Sequence, residues 1–146
     1  MDSQTILLVE DNPGDIELTK RAFSKCNIAN ELVVVEDGEE ALDYLFCTGS
    51  YVSRNCRDLP TVVPLDLNLP KINGLEVLNS IRANAKTKRL PVVIMTSSNE
   101  EKDITSAYNG GANSYVRKPV DYHEFVEAVK ILGLYWLVIN ENPELS

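Results

Sequence analysis

Cysteine, histidine and basic residues are all scarce in this chain, and each shortage excludes something. Among 146 residues there are three cysteines, one histidine, and 14 Lys+Arg against 22 Asp+Glu, a net charge of −8. Three cysteines, Cys26, Cys47 and Cys56, make an odd set without C-x-x-C spacing or a neighbouring histidine tract, which excludes a zinc cradle and a disulfide framework. Inert thiols in a reduced, cytosolic protein are expected. The acidic balance excludes a face that neutralises nucleic-acid phosphates, which requires clustered Lys and Arg. Long hydrophobic runs are also lacking. The longest, Ile131 to Ile139, covers nine residues, about half of a membrane span. The opening Met1-Asp2-Ser3-Gln4-Thr5 carries no basic residue, and the apolar Ile6 to Val9 behind it is too short for a signal peptide. With no internal repeat, low-complexity tract or linker, residues 1–146 are expected to form a single domain, with 131–146 an extended C-terminal helix and tail. A chain of this length buries roughly 70% of its unfolded surface and needs no staple.

Short apolar or β-branched runs recur at Ile6–Glu10, Leu32–Glu36, Thr61–Asp66, Val92–Thr96 and Ser114–Val116, and a stretch of helical period follows each. Continuously apolar strands such as Ile6-Leu7-Leu8-Val9 suit a parallel sheet covered on both faces. The alternation predicts a doubly wound α/β sandwich. Its first helix is expected to start at Pro13 behind an Asn12 cap, with Ile16, Phe23 and Cys26 inward. The second should run from about Glu39 to Cys47, followed by a polar stretch, Thr48 to Leu59, longer than most connections and read as an extra surface feature. The third, after Gly74, should bury Val77, Leu78 and Ile81. The fourth, Asn99 to Asn109, offers only Ile104, Ala107 and Tyr108 to a core, which makes it easy to move. The last, capped near Asp121, places Phe125, Val129, Leu132 and Trp136 on one stripe and Ile131, Leu134, Tyr135 and Val138 on a second. One helix on a sheet buries one stripe, so the other is left for an interface.

In an open parallel sheet the functional crevice lies beyond the carboxyl ends of the strands. There the chain places Glu10-Asp11 after the first strand, Asp66 after the third, Thr96-Ser97-Ser98 after the fourth and Lys118-Pro119 after the fifth. Polar residues at strand ends are individually unremarkable. Together, carboxylates at one crevice repel unless a cation separates them, and oxygen ligands without paired His or Cys favour Mg²⁺. Magnesium beside carboxylates suggests phosphoryl chemistry, with Asp66 as nucleophile, Lys118 offsetting charge and Thr96 donating a hydrogen bond.

The pieces Leu8-Val9-Glu10-Asp11, Leu65-Asp66-Leu67-Asn68-Leu69-Pro70 with Gly74, Met95-Thr96-Ser97 and Tyr115-Val116-Arg117-Lys118-Pro119 resemble, in this order, bacterial two-component response-regulator receiver domains. That resemblance implies a flavodoxin-like five-stranded sheet of order 2-1-3-4-5. It also implies that Asp66 accepts phosphate from a phosphohistidine of a sensor histidine kinase, with Mg²⁺ held by Asp66, Asp11 and the main-chain carbonyl of Asn68, and Glu10 acting through water. Lys118 would hold the phosphoryl oxygens while Thr96 and Tyr115 switch. The long segment after the second helix and Leu134-Tyr135-Trp136-Leu137 look like the stand-alone regulators that serve phytochromes, a group that tends to dimerise. Leu134, Tyr135 and Trp136 are the expected interface. Too little chain follows residue 139 for an output domain, so the output is expected to be a protein contact.

One departure is Pro64, two residues before Asp66, which has no N–H for the ladder and puts the pairing of the third strand in doubt, with a bulge as one outcome. The competing reading is a Mg²⁺-dependent phosphatase working through an aspartyl intermediate. It needs a general acid two residues after Asp66, where Asn68 stands and cannot transfer that proton. His123 reads as a surface residue at a helix start, and Lys86, Lys88 and Arg89 as a solvated basic turn.

Overall fold

A computed structural model describes residues 5–26, 31–97, 100–117 and 122–133, with residues 131–133 described by their backbone alone. Five parallel strands, β1 (Ile6–Val9), β2 (Leu32–Val35), β3 (Val63–Leu65), β4 (Val92–Thr96) and β5 (Ser114–Arg117), lie in the order 2-1-3-4-5. Between and after them run α1 (Pro13–Lys25), α2 (Gly38–Phe46), α3 (Gly74–Ala83), α4 (Glu101–Asn109) and α5 (Tyr122–Gly133). This is the doubly wound arrangement that the alternation of runs predicts.

Period-two alternation sorts the central strands into two cores. Leu7, Val9, Val63, Leu65, Val92 and Ile94 face the helical layer containing Val77, Leu78 and Ile81 of α3 and Ala41 and Leu45 of α2. Ile6, Val93 and Met95 face the other way, onto Ala22 of α1 and Phe125, Val126 and Val129 of α5. The expected start of α1 holds, with Asn12 Oδ1 accepting the N–H of Asp15 at 3.0 Å, and Asp37 and Asn73, not singled out in the sequence, cap α2 and α3 in the same way, while α4 begins at Glu101 rather than Asn99. The inner face of α1 differs from the predicted one, and Ile16, expected on it, is only half-buried and outside the core cluster. Thr19 and Ala22 are its buried residues, flanked by Leu18, Phe23 and Cys26. Thr19 escapes an apolar pattern because its hydroxyl bonds back to Asp15 O at 2.8 Å and so enters the core satisfied.

Pro64 leaves the β1–β3 ladder interrupted and in register, with no bulge. Val9 pairs with Leu65 and, at the same offset, Ile6 bridges Val62. Hydrogen bonds on either side hold the strand, from Leu7 N to Val62 O (3.2 Å) and from Asp66 N to Val9 O (3.1 Å). On its other edge β3 pairs with β4 at Val63, Pro64 and Leu65. The proline therefore shortens β3 without shifting Asp66.

Helix α4 is as weakly anchored as its sequence suggests, and more so at one residue. Ala107 alone is buried, while Tyr108, expected in the core, is 50% exposed. The side chain of Glu100, at its N-cap, does not cap the helix. The opposite end is fixed from outside. Arg82 of α3 donates from Nε and Nη2 to Gly111 O (2.9 and 2.7 Å), from Nη2 to Asn113 Oδ1 (2.9 Å) and from Nη1 to Leu90 O (2.7 Å). Gly111 has φ +98°, a conformation open to glycine.

The segment 48–59 is ordered by α2. Cys47 ends that helix in the left-handed region (φ 57°), and Thr48 folds back to bond Asp43 through both its N–H and its hydroxyl. A short 3₁₀ turn, Gly49–Tyr51, sets the Tyr51 ring edge-on to Tyr44 at 5.2 Å. Arg54 then stacks 4.0 Å over Tyr44 and donates to Tyr44 O and Asp58 O. This brings Cys56 to Cys47, and the two form a disulfide with Cα atoms 5.8 Å apart. The expectation of three inert thiols fails here. A separation of nine residues matches no short cysteine motif, and the approach is made by the left-handed cap, which composition does not reveal. Cys26 remains a free thiol.

Two expectations follow from these contacts. Arg82→Ala should destabilise the fold by about 2 kcal/mol, the scale for charge-assisted hydrogen bonds, read as a fall in denaturation midpoint. Tyr51 Oη donates to Glu40 Oε2 at 2.7 Å. Burial first, and then that carboxylate, push the phenol up to about 12. Because the folded value lies above the ordinary one, the stabilisation is complete below about pH 10 and is lost as pH rises through about 12. Tyr51→Phe should therefore be less stable than the parent in urea at about pH 8, with the difference shrinking toward pH 12.

Candidate functional site

At the carboxyl ends of β1 and β3 the chain brings Glu10, Asp11 and Asp66 together, with one carboxylate oxygen from each lying within 4.8 Å of the others. Glu10 and Asp66 are almost wholly buried, 2% and 7% exposed, whereas Asp11 faces solvent. Both buried acids are fixed by the backbone. Glu10 N–H bonds Val35 O (3.0 Å) and its Oε2 accepts the N–H of Asn12 (3.2 Å), while Asp66 N–H bonds Val9 O and its Oδ1 accepts the N–H of Asn68 (3.2 Å). The fit to a hard divalent cation is chemical. Three carboxylates with oxygens this close repel in a half-dry cleft, and an oxygen-only set suits Mg²⁺ or a similar ion.

Asn12 does more than the sequence discloses. Its side chain caps α1 and its main-chain amide steadies Glu10, a second role that no residue-type pattern can signal. Gly74 is equally exacting. A Cβ there would run into the main-chain oxygen of Asp66 and reach Leu67 Cα at 2.6 Å. Its N–H bonds Leu67 O at 2.9 Å, so α3 starts directly against the backbone that carries Asp66.

Thr96, the last residue of β4, is fully buried. Tyr115, paired with Ile94 on the neighbouring strand, is half-buried against the core that includes Ala107 of α4. Asn68 is exposed beside Asp66. Lys118 lies outside the described residues, as do the expected interface residues Leu134, Tyr135 and Trp136, the Asp121 cap and most of the second stripe on the last helix. His123 is exposed near the start of α5, and Lys86, Lys88 and Arg89 lie on the exposed turn before β4, as predicted. Among the described helices none is long and apolar enough to cross a membrane.

Comparison with known proteins points to one family. The chain is 38% identical over 138 residues to the probable methanogenesis regulatory protein FilR2 of Methanothrix harundinacea, covering 94% of this chain and 86% of that one. It is 35% identical to the response regulator Rcp1 of Synechocystis over 92% of this chain and 89% of that protein. The solved Mn²⁺-bound form of Rcp1 superposes with a TM-score of 0.87, covering 97% of this chain and 99% of that one at 34% identity. The phosphorylated cyanobacterial phytochrome response regulator RcpA gives 0.89 at 37% identity, covering 97% and 99%. Residues 6–130 match the response regulator receiver domain. Since that match runs from the first residue of β1 into α5, across every element that shapes the acidic cleft, the chain belongs to the family of response regulator receiver domains.

Proposed function

We propose that the chain is a stand-alone phosphoacceptor: Asp66 takes a phosphoryl group from the phosphohistidine of a sensor histidine kinase, and the resulting change of surface is read by a protein partner. The observation that carries this reading is the convergence of Glu10, Asp11 and Asp66 within 4.8 Å at the ends of β1 and β3. One carboxylate oxygen of Asp66 attacks phosphorus as the bond to the histidine nitrogen breaks, leaving an acyl phosphate here and, as the ring takes up a proton from solvent, a neutral imidazole on the kinase. Asp66, Asp11 and the main-chain carbonyl of Asn68 would hold Mg²⁺, with Glu10 acting through water, and the ion would supply charge neutralisation there. Lys118 holds phosphoryl oxygens, and Thr96 donates its hydroxyl to one of them. The chain catalyses only its own phosphorylation and slow dephosphorylation. A phosphatase acting on soluble esters is disfavoured by Asn68, which offers no general acid.

The phosphoryl group binds one conformation better and shifts the population toward it. Buried Thr96 and half-buried Tyr115 lie on adjacent strands that border the weakly anchored α4, which suits a switch running from cleft to helix. Likeness to RcpA supports a phytochrome as the kinase, while likeness to FilR2 points to a different signal, so phosphotransfer profiling against a phytochrome kinase separates the two. A cytoplasmic location fits a kinase partner of this kind. A homodimer through Leu134, Tyr135 and Trp136 is supported by the surplus apolar stripe of the sequence.

Beryllofluoride with Mg²⁺ should shift amide resonances at Thr96, Tyr115 and α4, and acetyl phosphate should label the protein stoichiometrically. Asp66→Asn should abolish both responses, and so should chelation of the metal. An unresponsive parent protein, or multiple turnover of a soluble phosphoester, would overturn the reading. Gly74→Ala should cost about 1–3 kcal/mol through overpacking and slow labelling, because the helix start must move off the Asp66 carbonyl. Truncation after Gly133 should weaken self-association in light scattering, and a parent that is monomeric in both phosphorylation states would exclude the dimer.

A further inference from the structure

The segment between α2 and β3 carries chemistry that phosphoryl transfer does not use. Cys47 and Cys56 are bonded to each other, and hydrogen bonds on either side also draw their backbones together. On the Cys47 side, Thr48 is tied to Asp43 by main-chain and side-chain hydrogen bonds of 3.0 and 2.7 Å. On the Cys56 side, Arg54 is stacked on Tyr44 and bonded to Tyr44 O at 2.9 Å, and its Nη1 reaches across to Asp58 O at 2.7 Å. Arg54 N–H bonds Tyr51 O and Asp58 N–H bonds Asn55 O, both at 3.0 Å, so the turn containing Cys56 is braced on both flanks. Opening the bond would leave two thiols still facing each other over α2.

The two sulfurs also differ in access. Cys47 is 9% exposed and Cys56 only half-buried, so a thiol from solution meets Cys56 first and a partner chain has little access to Cys47. The third cysteine is separate. Cys26 stands at the end of α1 with its Sγ 3.6 Å from Val126 O, and burial pushes its thiol up, which keeps it protonated and slow in exchange.

We propose that Cys47 and Cys56 form a reversible thiol–disulfide site, exchanging with low-molecular-weight thiols and disulfides of the glutathione type, which locks and releases the 48–58 segment on α2. In the closing direction the Cys56 thiolate attacks the small disulfide, giving a mixed disulfide and one reduced small thiol. The Cys47 thiolate then displaces the second small thiol, so two protein thiols are oxidised and one small disulfide is reduced to two thiols. Opening is the reverse, beginning at Cys56. The site is independent of Asp66 and of the metal, and it gives the domain a second covalent state on the α2 face.

The test uses the full chain, folded, equilibrated in glutathione buffers of graded poise, acid-quenched, then unfolded and tagged with a maleimide. Oxidising buffers should give one tag per chain, on Cys26. Reducing buffers should give three, with two thiols appearing together in one transition, and Cys56→Ser should give two tags at every poise apart from any glutathione adduct. Hydrogen exchange on the parent should show the 48–58 amides less protected in the reduced form while the β1 and β3 amides are unchanged. Three tags at every poise, one tag even under excess dithiothreitol, or a covalent dimer as the oxidised product would each overturn the proposal, and none depends on the folding of the variant.

Discussion

Like charge gathered at one point is the constraint around which this domain is arranged. A parallel sheet delivers the ends of β1 and β3 to the same edge, and the chain places Glu10, Asp11 and Asp66 there with oxygens within 4.8 Å. Carboxylates so close are tolerable only if their backbone is held and a cation can sit among them. The holding is visible: Val9 O and Asn68 N–H grip Asp66, Val35 O and Asn12 N–H grip Glu10, and the bare Cα of Gly74 lets α3 press against Asp66 from behind. Much of the surrounding architecture serves to keep these negative groups from moving apart.

Rigidity at the cleft contrasts with looseness at α4. Its N-terminal end lacks a side-chain cap, and Ala107 is its one buried residue, yet beyond its C-terminal end Arg82 clamps Gly111 and Asn113. A helix pinned near one end and loose at the other has a direction in which to swing. Conformational change confined to such an element leaves the sheet core undisturbed, as the proposed reversible switch requires.

Pro64 tests how far a central strand can be eroded. Its missing N–H interrupts the β1–β3 ladder, but Ile6↔Val62 and Val9↔Leu65 keep one register across the gap. Because bonds at both ends define the strand, losing one in the middle does not shift the residue that follows. The same economy explains the 48–59 segment. Few apolar residues hold it; a cation stack, an edge-to-face aromatic pair, two returns to Asp43 and a disulfide do the work instead.

The layers, the five strands, the helix cap at Asn12 and the acidic residues at the strand ends were legible in the sequence, because period and cap chemistry are local properties of neighbouring residues. Asp66 and its acidic companions could be named for the same reason: parallel strands send their carboxyl ends one way whatever their order. Only the tertiary structure decided what depends on contacts between distant segments. Thr19 is buried because its own turn satisfies its hydroxyl, Tyr108 stays outside because α4 touches the sheet along too narrow a strip, and Arg82 finds carbonyls about thirty residues away. Cys47 meets Cys56 because a left-handed cap turns the chain back over α2. Local pattern carries periodicity and chemistry, whereas which groups become neighbours across the fold is set by how the packed elements close on one another.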